Sequence, residues 1–236
     1  MGLEKFQLFG CVRWRALILP VFYKIIEINS DIAHNSPSLV LHETKREPMM
    51  VESVMYDPDK YQDILPSNFK LHLINEKLPS RLNVCLPHLH KDYIFGGVSS
   101  ALELGKYLAK YYDSVRFISL TPLPSAIDCI DVEASTSRST KYRTEKISIY
   151  GPGTIEFHLA DILLCPYWRA VLIWECLAKL FRESGHDPNR FYYLIQDWEP
   201  GFYPMSLKHM LAESTYDHGD ACIAIINSVE LARFFY

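Results

Sequence analysis

Residues 81–120 read RLNVCLPHLHKDYIFGGVSSALELGKYLAKYYDSVRFISL. The apolar run Leu82-Asn83-Val84-Cys85-Leu86 has the length and bulk of a buried strand, and Pro87 stops it, because proline has no N–H to give to a ladder. A loop ending in Phe95-Gly96-Gly97 follows. Ser99 then offers a side-chain oxygen to cap a helix running to about residue 111. Ala101, Leu102, Leu104, Leu108 and Ala109 supply that helix with an apolar face. Residues 115–120 form the next strand. Strand, glycine loop, helix and strand within about forty residues are what a parallel βαβ unit requires.

Working outward, the same alternation continues to the C-terminus. Strands are expected at 146–150, 161–165, 190–195 and 221–226, and helices at 167–182, at 206–216 and from 228 onward. Residues 121–145 read as a long loop with a short element. The pattern implies an α/β domain over 80–236: a Rossmann-like, mostly parallel sheet with helices on both faces. Residues 1–79 differ in texture. Pro37, Pro48, Pro58, Pro66 and Pro79 interrupt 31–80, which reads as an irregular extension wrapped on the domain. Residues 1–30 carry Lys5, Arg13, Arg15 and Lys24 against Glu4 and Glu27. That balance suits an amphipathic helix packed on the protein's own body, and leaves open peripheral contact with an anionic membrane surface.

Composition bounds the function. The 236 residues are 49% hydrophobic and 22% charged, ordinary for a globular chain. A net charge of -4 argues against nucleic acid as a partner, since phosphate recognition needs a basic surface. The six cysteines, Cys11, Cys85, Cys129, Cys165, Cys176 and Cys222, form no CxxC pair. They read as buried thiols of a reducing compartment and not as zinc ligands. The apolar run 16–23 is too short to span a bilayer, which takes roughly 20 residues.

In open α/β sheets ligands bind beyond the carboxyl ends of the strands. That rule selects 87–98, 121–128, 166–169, 196–205 and 227–229. Gly96 and Gly97 sit where a helix N-terminus would meet an anion such as phosphate, and a tight turn would demand them equally. The sequence is neither GxGxxG nor GxxxxGK[ST]. His88-Leu89-His90 is an HxH pair of the kind metal-dependent barrel hydrolases use, on a chain short of the about 250 residues a barrel takes. Asp197 and Glu199, two apart on an extended segment, would point the same way, with Gln196 and Trp198 on the other side. Such carboxylates can do acid–base work, accept sugar hydroxyls, or cap nearby backbone N–H groups. Tyr167 and Trp168 open a helix at another strand end, where aromatic rings serve either the core or a sugar platform.

Four stretches in order, RLNVCLPHL, IFGGVSSALELGKYLAK, ADILLCPYWRAVLIW and FYYLIQDWEPGFYPMSLKHMLAESTY, resemble the N-terminal half of bacterial GT-B glycosyltransferases. Within that group they are most similar to the WsaF-like rhamnosyltransferases of cell-surface polysaccharide assembly. The last stretch is long and specific. The resemblance covers about residues 80–236 and implies the acceptor-side lobe of a two-lobed enzyme. By carry-over, Asp197, Trp198, Glu199, Tyr167 and Trp168 lie on the acceptor side, and Gly96, Gly97 and Ser99 face the donor diphosphate. The donor would be a nucleotide sugar such as dTDP-rhamnose, and the acceptor a glycan or lipid-linked glycan. No cofactor and no metal are expected, since such enzymes stabilise the leaving diphosphate with helix dipoles and basic side chains. The expected location is the cytoplasm, at the inner face of the membrane. Cys165-Pro166 stand before the aromatic pair, where relatives tend to carry small hydroxyl residues. The chain stops at Tyr236, where the family's donor-binding lobe would begin. The chain alone is therefore expected to have little or no activity, and reads as a truncated product, a fragment, or a lobe completed by a second polypeptide. Two other readings stay open: a non-catalytic glycan-binding or partner-binding module, and a metal-dependent hydrolase using His88 and His90.

Overall fold

The computed structural model describes residues 17–18, 64–65, 69–76, 78–130, 143–151 and 154–235. Cys11, the helix expected within 1–30 and the membrane contact proposed for it lie outside the described residues, apart from the backbone of 17–18. So do most of the expected irregular segment 31–80 and the centre of the 121–145 loop.

The elements in chain order are β1 (Leu17–Ile18), β2 (Leu71–Ile74), β3 (Arg81–Leu86), α1 (Gly97–Ala109), β4 (Ser114–Ser119), β5 (Arg143–Ser148), β6 (Ile155–His158), β7 (Asp161–Cys165), α2 (Trp168–Glu183), β8 (Phe191–Ile195), α3 (Leu207–Ser214), β9 (Cys222–Ile226) and α4 (Val229–Phe235). Seven strands form one sheet in the order β1-β9-β8-β7-β3-β4-β5, and every pairing in it is parallel. From β3 the chain first moves outward through β4 to β5. It then returns to the other side of β3 with β7 and proceeds through β8 to β9. This is the doubly wound order, with its reversal between β3 and β7. The α/β expectation therefore holds.

Side-chain alternation explains the two layers. Leu82, Val84 and Leu86 of β3, Val115 and Phe117 of β4, and Leu164, Leu194 and Ile225 pack in one cluster with Ala101, Leu102, Leu108 and Ala109 of α1. The opposite residues, Cys85, Ile118, Leu163, Cys165, Phe191, Tyr193 and Ile195, pack with α2, α3 and α4. Successive strand residues point to opposite faces, so a strand covered on both sides reads as the continuous apolar run seen in β3, β7 and β9. The helix α1 lies close on β3. A Cβ added at Gly105 would stand 3.1 Å from Val84 Cγ2.

Three short strands were not anticipated. β1 pairs with β9, and β2 pairs in parallel with β6 as a separate two-stranded sheet. For β2 and β6 the signal was present as period-2 alternation in LHLI and IEFH, each too short to stand out from loop sequence. β5 begins at Arg143 and not near residue 146. An outer strand tolerates the polar start that a central strand would not.

A buried charge network fastens the amino-terminal edge. Asp161, at the start of β7, has a fully buried side chain. It accepts from Arg81 Nε and Nη2 of β3, both at 2.7 Å, and from the His158 N–H at 2.9 Å. Arg116 of β4 donates from Nε to Asn83 Oδ1 at 2.6 Å and from Nη1 to the Glu156 carbonyl at 2.7 Å. Its guanidinium lies 4.5 Å above the Phe157 ring centre and 4.0 Å from Asp161 Oδ2. Burial, with the neighbouring Arg81 charge adding to it, pulls Arg116 down to about 10, still protonated at neutral pH. One carboxylate thus ties β3 and β7 to the small sheet. Cys85, Cys165 and Cys222 are buried free thiols, while Cys129 and Cys176 are half-buried and not fully enclosed as expected.

Removing one partner of a buried pair strands the other charge. Asp161→Ala should therefore lower unfolding free energy by about 3–5 kcal/mol in urea denaturation. A loss under about 1 kcal/mol, the scale of a surface pair, would show that the network is not the fastening described.

Candidate functional site

The switch point lies at the carboxyl ends of β3 and β7, where crossovers leave in opposite directions. The β3 exit reaches α1 through Gly96, whose φ of +51° is a conformation that favours glycine. Gly96 is itself the N-cap of α1, with no side-chain cap, and the helix begins at Gly97. Ser99, expected to cap the helix, is instead its third residue, because Gly96 makes the turn that a serine cap would otherwise have made.

The β8 exit carries the acidic pair, and the structure parts its two members. After Asp197 and Trp198 the chain enters a 3-10 turn at Glu199–Phe202, with Pro200 in its first positions. The segment is not extended past Trp198, so the two carboxylates do not share a side. Asp197 is exposed and its Oδ1 accepts the Trp198 N–H at 2.8 Å. Glu199 is 8% exposed and turned inward, where Oε2 accepts the N–H of Trp168, the first residue of α2, at 3.1 Å. The Tyr216 hydroxyl holds both backbones, donating to the Asp197 carbonyl at 3.0 Å and accepting from the Glu199 N–H at 3.3 Å. Trp198 is half-buried and packs at a tilt against Tyr216, ring centres 4.9 Å apart, and Phe234, 5.4 Å apart.

Gln196, expected to point away from the two carboxylates, joins the exits of three strands. Its Nε2 donates to the Gly97 carbonyl at 3.2 Å and to the Pro166 carbonyl at 3.3 Å. A Cβ at Gly97 would stand 2.8 Å from that same nitrogen. Gly96, Gly97, Pro166, Gln196, Asp197 and Glu199 are thus gathered at one place on the sheet edge.

The aromatic pair divides. Trp168 is 1% exposed, its Nε1 donating to Tyr203 Oη at 3.1 Å and its ring meeting Tyr203 edge-on at 5.9 Å. A ring so enclosed takes the core alternative and offers no open face as a sugar platform. Tyr167 is half-buried, and burial pushes its hydroxyl well above the ordinary value. His88 and His90 flank Tyr93, with ring centres 5.3 and 5.0 Å away. Burial, and then the nearby His90, lower His88. Among the described residues no group of three His, Cys, Asp or Glu side chains is placed to hold a metal. Among them, too, no helix is long and apolar enough to cross a membrane.

Gln196, Tyr203 and Tyr216 escaped sequence reasoning as site residues. Gln196 lay inside the motif, and its signal was a polar amide directly after a fully apolar strand. Tyr203 and Tyr216 are distant in sequence from what they hold and carried no local signal.

Glu199 also gives the site a pH signature. Burial, offset in part by the Trp168 N–H and reinforced by Asp197, raises its carboxyl from 4.5 to about 7. The fold disfavours the ionised form. Its stabilising contribution is complete below the unfolded value near 4.5 and is lost as pH rises through 7. Glu199→Gln keeps an oxygen for Trp168 and cannot ionise. The variant's stability relative to the parent should therefore rise by about 3 kcal/mol between pH 4.5 and pH 8, measured by urea denaturation across pH. A difference that stays flat with pH would remove the carboxyl from its buried position.

Compared with curated proteins, the chain finds no match. Residues 81–229 match the family model described as WsaF, N-terminal domain. That span takes in the switch point, the glycine turn and the whole acidic segment, and covers more than half of the 236 residues. The chain belongs to the WsaF N-terminal domain family, and is thus a glycosyltransferase-related domain.

Proposed function

We propose that the chain is the acceptor-side lobe of a glycosyltransferase that moves a deoxyhexose, rhamnose, from a nucleotide sugar such as dTDP-rhamnose to a growing glycan. One observation carries the reading beyond the family. The glycine turn at the α1 start and the Asp197–Glu199 segment meet at the switch point, held together by Gln196.

The parts divide by exposure. Asp197 is the open carboxylate, suited to accept hydrogen bonds from acceptor hydroxyls, with the half-buried ring of Trp198 next to it in sequence and the half-buried Tyr167 at the start of α2. Glu199 works from below, anchoring the start of α2 through the Trp168 N–H. Trp168 adds support under the floor. Across the switch point, Gly96 lets backbone approach a diphosphate closely, and Gly97 and Ser99 belong to the first turn of α1, whose N–H groups favour negative charge. The leaving diphosphate is stabilised by that helix start and by basic side chains of a donor-binding lobe, so the chemistry calls for no metal. The acceptor is a glycan or lipid-linked glycan of the cell surface, met at the cytoplasmic face of the membrane.

Binding by the purified chain tests this. A rhamnose-containing oligosaccharide and dTDP, each titrated calorimetrically, should bind at separate, compatible sites. Asp197→Ala should weaken the oligosaccharide at least tenfold, about 1.4 kcal/mol, and leave dTDP unchanged. Equal loss of both ligands, or binding of neither by the parent chain, would overturn the division of the site. An oligosaccharide that binds where dTDP does not would favour a glycan-binding module.

A further inference from the structure

We infer that Gln196 is the positioning residue of the switch point: it sets the separation of the α1 and α2 starts, and it is the reason that residue 97 is glycine. The inference rests on the proposed function only for the identity of the ligand.

The two glycines of the turn have different causes. Gly96 has φ +51° and open space around its missing side chain, so backbone conformation alone requires it. Gly97 has no such φ, and a side chain there would have to displace the Gln196 carboxamide. A Cβ at Gly97 would fall 2.8 Å from Nε2, 2.9 Å from Oε1 and 3.1 Å from Cδ, all of them closer than the about 3.5 Å of ordinary contact. The carboxamide therefore lies flat against the Gly97 backbone.

Its orientation is chemically determined. The amide nitrogen has two hydrogens, and two carbonyl oxygens lie within reach, those of Gly97 and Pro166. Turned over, the amide would set its oxygen against both, so only one orientation satisfies the group. Gly97 is the first residue of α1, and Pro166 lies two residues before the first residue of α2. Gln196 itself directly follows β8. One side chain thus fixes three strand exits relative to one another. A glutamate in this place would have no hydrogens to give, and a leucine would fill the volume without the bonds. The Glu199 bond to the Trp168 N–H holds α2 from the same segment, so the two side chains grip α2 at adjacent points.

Amide hydrogen exchange on the intact chain reads this directly. Ser100 and Ala170 report the two helix starts, through their bonds to the Gly96 and Tyr167 carbonyls, and Phe117 in β4 reports the core. Gln196→Leu should speed exchange at Ser100 and Ala170 at least tenfold and leave Phe117 within twofold. Gly97→Ala should do the same by displacing the amide. Because Gln196→Ala vacates the space, adding Gly97→Ala to it should change Ser100 and Ala170 by less than twofold more. Faster exchange at only one helix start, loss spread equally to Phe117, or additive effects in the double variant would each overturn the inference. A dTDP titration of the same proteins separates the two ideas. If both starts loosen while dTDP binds neither parent nor variant, Gln196 keeps its role and the diphosphate reading falls.

Discussion

The carboxylate of Asp161 is the interaction on which the rest depends. It stands at the first residue of β7, where the chain has just left the small β2–β6 sheet and enters the middle of the large one. Its two oxygens accept from Nε and Nη2 of Arg81, so β7 is locked to β3 at residue pair 81 and 161, the first rung of their ladder. The same carboxylate accepts the His158 N–H, which fastens the last residue of β6. A parallel sheet shifted by one residue would turn every side chain to the wrong face. Locking the first rung excludes that shift, and the carboxyl ends of β3 and β7 then emerge side by side. The switch point is a consequence of the opposite edge.

The two edges solve their polar problems differently. At the amino edge, buried charge meets opposite charge and directed hydrogen bonds: Asp161 with Arg81, and Arg116 with Asn83 and a carbonyl. That satisfies the requirement that a buried charge be paired. At the carboxyl edge, the connections reach backbone, and apart from the Glu199 carboxyl they are made by neutral groups. Gln196 reaches two carbonyls, Tyr216 reaches a carbonyl and an N–H, and the half-open turn at Gly96 carries no side-chain cap. Backbone-directed holds leave the side chains around them free to differ, which suits a place where loops meet a ligand.

The fold was legible because its strands are buried on both faces. Ile162 to Cys165 and Ile223 to Ile226 read as unbroken apolar runs, and Leu82 to Leu86 is interrupted only by Asn83, as burial on both sides favours. Their predicted limits lie within a residue or two of the observed ones. β2 and β6 stayed hidden because four residues with one solvent face do not rise above loop sequence. The site was legible by location and not by geometry. The rule that ligands gather at carboxyl ends singled out 196–205, and the segment does follow β8 at that edge, yet the pairing of Asp197 with Glu199 assumed extended backbone. Pro200 begins a tight turn that the period-2 argument could not contain, and it sends Glu199 inward. Trp168 shows the same limit. A residue at the first turn of a helix can face either solvent or sheet, and the choice depended on Tyr203, thirty-five residues away.

Glu199 and Asp161 are both buried carboxylates, in opposite electrostatic surroundings. Asp161 has cations on hand and holds strands together. Glu199 has a backbone N–H and a second carboxylate nearby, and its ionised form is disfavoured enough to bring it to about 7. Glutamine could make the same bond to Trp168 without that cost, so structural need alone does not call for a carboxyl at this position. Groups whose ionisation is held near neutrality by burial and a neighbouring charge concentrate where protons or polar ligands are handled. Glu199 lies two residues from the exposed Asp197, shares Tyr216 with it and grips the helix whose start Gln196 positions. The cost is thus borne at the one edge where the fold, left to itself, had no reason to place a charge.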